Sequence, residues 1–230
     1  MIDSNRMVTL FDVDNTLLDN DRVIADLMRY LDREVGHERQ QRYWTIFEEL
    51  RSELGYADYL GALQRYRVEN PRDPHLLTVS WFLVNYPFAN RLFPESLDVV
   101  DSAKGWSTPV VFSDGDVVFQ PRKVERSGLA DEFEQRVLIY VHKETELDDV
   151  RSRYPADHYV VVDDKLRILN AIKRAWGSQV TTIFPRQGHY ANDRAAIAKL
   201  SPADISIDRI GMLLDYGRDA ILAAGRARKG

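Results

Sequence analysis

Residues 12–16 read Asp-Val-Asp-Asn-Thr and directly follow the apolar run Val8-Thr9-Leu10-Phe11. A central strand of a parallel sheet is apolar along its whole length, and this run fits that pattern. Two carboxylates at its end concentrate negative charge where burial disfavours it, unless a cation or a proton offsets it. In extended chain Asp12 and Asp14 point to the same side. One of them can then act as a nucleophile while the other handles a proton. The plainer reading is a strand end with solvated acids and an Asp14-Asn15 turn.

Three further strand ends carry polar groups. Ser113-Asp114-Gly115 follows Pro109-Val110-Val111-Phe112, Lys143 follows Leu138-Ile139-Tyr140-Val141 by one residue, and Asp163-Asp164 follows Tyr159-Val160-Val161-Val162. Singly, each is ordinary: a turn, a solvated lysine, the N-cap of the next helix. Together they complement one another, because ligands of an open parallel sheet bind beyond the carboxyl ends of its strands. Asp12, Asp14, Asp163 and Asp164 would form a hard oxygen site suited to Mg²⁺. Ser113 and the backbone N–H groups around Asp114 and Gly115 suit phosphate oxygens. Lys143 would neutralise a nucleophilic carboxylate and a transferred phosphoryl group. Lys123 competes for that role, but it sits inside a predicted helix, so Lys143 is preferred. His189, after the fifth apolar run, reads as a loop histidine, and Asp116 as a turn acid.

These groups need a scaffold that aligns strand ends. Apolar runs at residues 7–12, 109–113, 137–141, 158–163 and 180–184 predict five strands. Helical patterns at 121–127, 147–153 and 165–176 alternate with them, and a last helix is expected over 208–224. That alternation predicts an α/β fold with a parallel sheet covered on both faces. Residues 21–104 break the rhythm with successive helical patterns at 23–33, 39–55, 58–68 and 75–85. A simple crossover needs only about a dozen residues, so this stretch reads as an inserted helical subdomain. The core would comprise residues 1–20 and 105–230, with connections at 17–21 and at 104–107, where Gly105 and Ser107 suit a hinge.

The chain is 44% hydrophobic and 29% charged, which supports a sizeable core and argues against disorder. A formal net charge of −5 weighs against a nucleic-acid surface. The absence of cysteine excludes disulfides, thiolate metal sites and cysteine nucleophiles. No apolar segment resembles a signal peptide or a membrane span, so a cytoplasmic protein with no nucleic-acid or membrane partner is expected. Oligomeric state is not legible.

Asp12-Val13-Asp14-Asn15-Thr16, Ser113, Lys143 and Asp163-Asp164, in this order, resemble the four motifs of the haloacid dehalogenase superfamily. The helical insertion after the first motif is similar to the cap that superfamily places between motifs one and two. The resemblance implies a Rossmann-like core, a mobile cap and Mg²⁺-dependent aspartyl-phosphate chemistry on a small phosphorylated substrate. It implies Asp12 as nucleophile and Asp14 as general acid and base, with the Asp14 carbonyl touching the metal. Thr16, grouped with the substrate-binding residues, would orient the loop and Asp14. Ser113, Asp114 and Gly115 would meet the phosphoryl group, and Asp163 and Asp164 would hold Mg²⁺ with Asp12. No acid follows in Lys165-Leu166-Arg167-Ile168-Leu169, so motif four resembles the variant with adjacent aspartates. The dehalogenases of the superfamily lack the second aspartate of motif one, so Asp14 favours phosphoryl transfer. A sugar phosphomutase, a signalling receiver and a catalytically silent binding protein are the rival readings.

Overall fold

The computed structural model describes residues 6–227. Six strands form one parallel sheet in the order β3-β2-β1-β4-β5-β6. They are β1 (Met7–Phe11), β2 (Thr108–Asp114), β3 (Val137–Tyr140), β4 (His158–Val162), β5 (Val180–Pro185) and β6 (Ile205–Ile207). β1 lies centrally between β2 and β4, so Asp12 emerges in the middle of the sheet's carboxyl edge. Every residue of β1 and β4 is buried, as expected of strands covered on both faces.

The helices in chain order are α1 (Asn20–Val35), α2 (His37–Leu54), α3 (Tyr59–Glu69), α4 (Leu76–Asn85), α5 (Ser96–Lys104), α6 (Phe119–Arg126), α7 (Leu129–Glu132), α8 (Leu147–Arg153), α9 (Leu166–Trp176), α10 (Gly188–Asn192), α11 (Arg194–Ile197) and α12 (Arg218–Ala227). Strand alternation sends Val8, Leu10 and Phe112 to a face packed on α8 and α9 residues such as Val150, Ile168 and Ile172. Phe11, Val111 and Val162 face the other side, in a core shared with α5, α7, α12 and the helical insertion. There Phe11 meets Phe133 edge to face, ring centroids 5.7 Å apart. Truncating so deeply buried a phenylalanine costs about 3–5 kcal/mol.

The sequence places the insertion's connections at residues 17–21 and 104–107. Asp19 donates its backbone N–H to Arg91 O (2.7 Å), Phe93 donates to Leu17 O (2.9 Å), and Leu18 and Leu92 bridge antiparallel. The two connections thus lie side by side at residues 17–19 and 91–93. The segment at 104–107 is instead fixed to the core: Ser107 Oγ hydrogen-bonds Thr9 Oγ1 (2.7 Å), and α5 packs against β2 and α7. Helix α5 lies inside the stretch that sequence pattern assigns to the insertion, because its apolar face carries no mark of what covers it.

Two further expectations change at the C-terminal side. β6 is a sixth strand, only three residues long with an exposed centre, too short to produce a periodic signal. The helix expected over 208–224 is broken: residues Ile210–Asp215 form a 3₁₀ turn, Tyr216 is extended, and α12 starts at Arg218. Gly217 lies at that break and disfavours helix continuation. No helix among the described residues is long and apolar enough to cross a membrane.

Candidate active site

The sheet topology brings all four sequence motifs to one place. Asp12 stands at the end of β1 with its N–H bonded to Val162 O (2.9 Å). Its carboxylate is almost fully buried and accepts from Lys143 Nζ through Oδ1 (2.6 Å) and from Thr16 Oγ1 through Oδ2 (3.2 Å). Thr16 Oγ1 also accepts the Asp164 N–H (3.0 Å), so one hydroxyl ties motif one to motif four. Thr16 is fully buried and orients Asp12 and Asp164; its hydroxyl meets neither Asp14 nor the cleft.

Lys143 is completely buried. Its Nζ lies 2.6 Å from Asp12 Oδ1, 2.7 Å from Asp163 Oδ2 and 2.9 Å from Phe112 O. Burial alone would push this ammonium down, but the Asp12, Asp163 and Asp114 carboxylates outweigh it and hold it well above the ordinary lysine range. Asp114 also anchors the loop that carries it, accepting Lys143 N at 2.8 Å. Ser113 is buried, with its hydroxyl accepting from Gln120 Nε2 (3.0 Å). Gly115 lies so close to Gln120 that a Cβ there would fall 2.6 Å from Gln120 Cβ.

Asp163 and Asp164 are both buried. Asp163 Oδ1 accepts Lys165 N (2.7 Å). Burial pushes its carboxyl up to about 6, against the pull of Lys143. Asp164 is pushed well above the usual carboxylate range by burial, then by the charges of Asp12 and Asp163. Both Asp164 carboxylate oxygens are buried without a hydrogen-bond partner. Asp12, Asp163 and Asp164 each offer an oxygen within 4.8 Å of the others. Orphaned buried carboxylates are strongly unfavourable, and three converging oxygens from rigid strand ends are the donor set a Mg²⁺ ion takes. The residues present therefore fit the ion.

The Asp14 carboxylate is not part of that cluster. It faces the cleft and is gripped by Lys123, whose Nζ lies 2.7 Å from Oδ1 and 2.8 Å from Oδ2 and also donates to Asn20 Oδ1 (3.0 Å). Lys123 is fully buried. The two lysines weighed against each other in the sequence are thus both in the site, each on a different aspartate. The available signal was the spacing of Gln120 and Lys123, three residues apart and so on one helical face.

A second group escaped sequence reasoning. After β5, Gln187 donates through Nε2 to Asn15 O (3.4 Å) and Thr16 O (3.1 Å) and accepts Ile210 N at Oε1 (2.5 Å). Gly188, at φ +68°, leaves room for Asn15, whose Cβ would lie 2.5 Å from an added one. Asn15 itself takes φ 60°, a left-handed conformation that asparagine tolerates. Its side chain accepts Asp21 N (3.1 Å) and donates to Asp21 Oδ1 (3.0 Å). His189 Nδ1 lies 2.6 Å from the same Asp21 oxygen, so this histidine fastens the start of the insertion to the core rather than ending a loop.

A cavity of about 330 Å³ opens between the insertion and the sheet edge. Asp14, Asp114, Lys165 and His189 line it from the core side, and Phe47, Arg51 and Tyr56 from the insertion.

The chain belongs to the haloacid dehalogenase-like hydrolases, whose family model matches residues 7–177. No curated protein matches it. It is similar to the crystal structure of a haloacid dehalogenase-like hydrolase from Burkholderia xenovorans LB400, at 59% identity and TM-score 0.89 over 93% of this chain and 99% of that one. A haloacid dehalogenase-like family hydrolase from Xanthomonas campestris superposes with TM-score 0.68 at 17% identity, over 99% of this chain and 97% of that one. The L-2-haloacid dehalogenase from Xanthobacter autotrophicus, with chloropropionic acid covalently bound, gives TM-score 0.56 at 16% identity, over 90% and 96%. At such identities the last two share the fold.

Proposed function

We propose that this hydrolase is a Mg²⁺-dependent phosphatase of small phosphorylated metabolites that works through an aspartyl phosphate on Asp12. The observation that carries this reading is the buried Asp12, Asp163 and Asp164 cluster with both Asp164 oxygens unpartnered. Carbon–halogen displacement by a carboxylate needs no such metal-binding set, whereas phosphoryl transfer does.

Asp12 attacks phosphorus, and the bond from phosphorus to the leaving oxygen breaks. Asp14 at the cleft wall gives that oxygen a proton. A water then attacks the aspartyl phosphate and returns a proton to Asp14, releasing phosphate and restoring Asp12. Lys143 holds Asp12 in place and offsets charge on the phosphoryl oxygens. Mg²⁺, when bound by Asp12, Asp163, Asp164 and the Asp14 carbonyl, would supply further neutralisation of those oxygens. The helical cap would cover the cleft and keep bulk water from the first step. We place its ends at the paired connections, residues 17–19 and 91–93.

The test is a panel of phosphomonoesters and 2-haloacids, assayed with Mg²⁺ for phosphate, halide and isomerised product. Phosphate release that disappears in Asp12→Asn supports the reading. Halide release without phosphate release overturns it, and isomerisation without net phosphate release would make the protein a mutase.

A further inference from the structure

Five cationic side chains surround the cleft, and three are neutralised at close range. Lys143 sits 2.6 Å from Asp12, Lys123 2.7 Å from Asp14, and Arg167 2.8 Å from Glu144. The other two are Arg51 of α2 and Lys165 at the start of α9. The carboxylate oxygen paired with Arg51 belongs to Glu48 at 3.7 Å, and the one paired with Lys165 belongs to Asp114 at 3.9 Å. Both distances are beyond hydrogen bonding. Lys165 Nζ hydrogen-bonds no protein atom among the described residues, although four-fifths of the side chain is buried.

These two under-paired cations come from opposite sides of the cleft and meet at one residue. Arg51 donates to the Tyr190 hydroxyl, and Lys165 Nζ lies 5.4 Å from the centroid of the Tyr190 ring. All three line the same cavity. Cations around a polar cavity whose nearest carboxylates lie beyond hydrogen-bonding distance are an arrangement that recognises an anion.

We propose that Arg51, Lys165 and Tyr190 form an anion subsite across the seam between cap and core. The substrate of the phosphatase proposed above then carries a second anionic group, a carboxylate or a second phosphate, besides the phosphoryl group transferred at Asp12. This inference rests on that reading. A cavity of about 330 Å³ suits a small molecule. Binding also joins cap to core, since the anion would be held from both.

Non-hydrolysable phosphonates separate the two claims. Titration calorimetry with Mg²⁺ in excess would compare propylphosphonate, 3-phosphonopropionate and ethylenebisphosphonate. The expected result is at least tenfold tighter binding of one of the doubly anionic ligands than of propylphosphonate. Which of the two wins distinguishes a carboxylate from a second phosphate. In Arg51→Gln, with melting curves confirming the fold, that preference should fall below threefold, and Arg51→Lys should recover part of it. Equal affinity for all three ligands, or a preference unchanged in Arg51→Gln, overturns the subsite while leaving the phosphatase reading standing. Failure of every phosphonate to bind overturns both.

Discussion

Lys123 Nζ is bonded to both carboxylate oxygens of Asp14, at 2.7 and 2.8 Å, from a position with no exposure to solvent. The same ammonium donates to Asn20 Oδ1 at the first residue of α1. The orientation of the proposed acid/base is therefore set by α6 and by the start of α1 together. Removing one partner of a buried ion pair strands the other, at about 3–5 kcal/mol when both are fully buried. Asp14 keeps a quarter of its side chain exposed, so a smaller loss applies.

Lys123→Met and Asp14→Ala should each destabilise the protein by about 1–3 kcal/mol, with the double variant less than additive by at least about 1 kcal/mol. Urea unfolding of the four proteins measures this. Lys123→Met should also lower kcat for phosphate release at least about tenfold with little change in KM, since it disturbs an interaction of the chemical step. Additive stabilities and unchanged turnover would show that the pair neither couples nor positions.

Why Lys123 was not read as a site residue has a physical answer. A lysine within a polar helical turn has the same local pattern whether solvated or buried, and only β1 and the cap root, over a hundred residues away in sequence, decide. Asp12, Ser113, Lys143 and Asp163 were legible for the opposite reason. Each follows an apolar run, and a parallel sheet puts all such ends on one edge. Gln187 and Gly188 act on Asn15 and Thr16 through contacts that leave no trace in local composition. The second cap connection was misplaced because Gly105 and Ser107 look like a hinge, while the pairing of Leu92 with Leu18 is a tertiary fact.

The acid cluster leads to a prediction about metal and stability. With three carboxylates so close and buried, metal-free protein carries unrelieved repulsion at Asp164. Mg²⁺ at about a hundredfold over its dissociation constant should add roughly 2.7 kcal/mol, or several degrees in Tm for a chain of this size. Asp164→Asn keeps the shape and removes one charge. It should melt higher than the wild type in excess chelator and lose most of the Mg²⁺-induced rise. A full Mg²⁺ shift in Asp164→Asn would remove Asp164 from the metal site.

The last prediction lies at the opposite end of β4, away from the cleft. His158 is buried, with Nε2 2.8 Å from Thr181 Oγ1. The single hydroxyl proton of Thr181 goes to Ile221 O (3.0 Å), so His158 Nε2–H is the donor to Thr181 Oγ1. Burial first, then the charges of Lys173 and Arg226, push its pKa down from 6.5 to about 4. Between those values the unfolded chain binds a proton that the folded protein does not. Stability contributed by neutral His158 is thus complete above about pH 6.5, declines as pH falls, and is exhausted near pH 4. The depression corresponds to about 3 kcal/mol. In His158→Gln the amide can still donate to Thr181, but nothing titrates there. Urea unfolding from pH 7 to pH 4 should show the wild type losing about 3 kcal/mol more than the variant. Other carboxylates titrate in both proteins and cancel in the difference, so parallel pH profiles would show that His158 protonates in the folded state as readily as in the unfolded one.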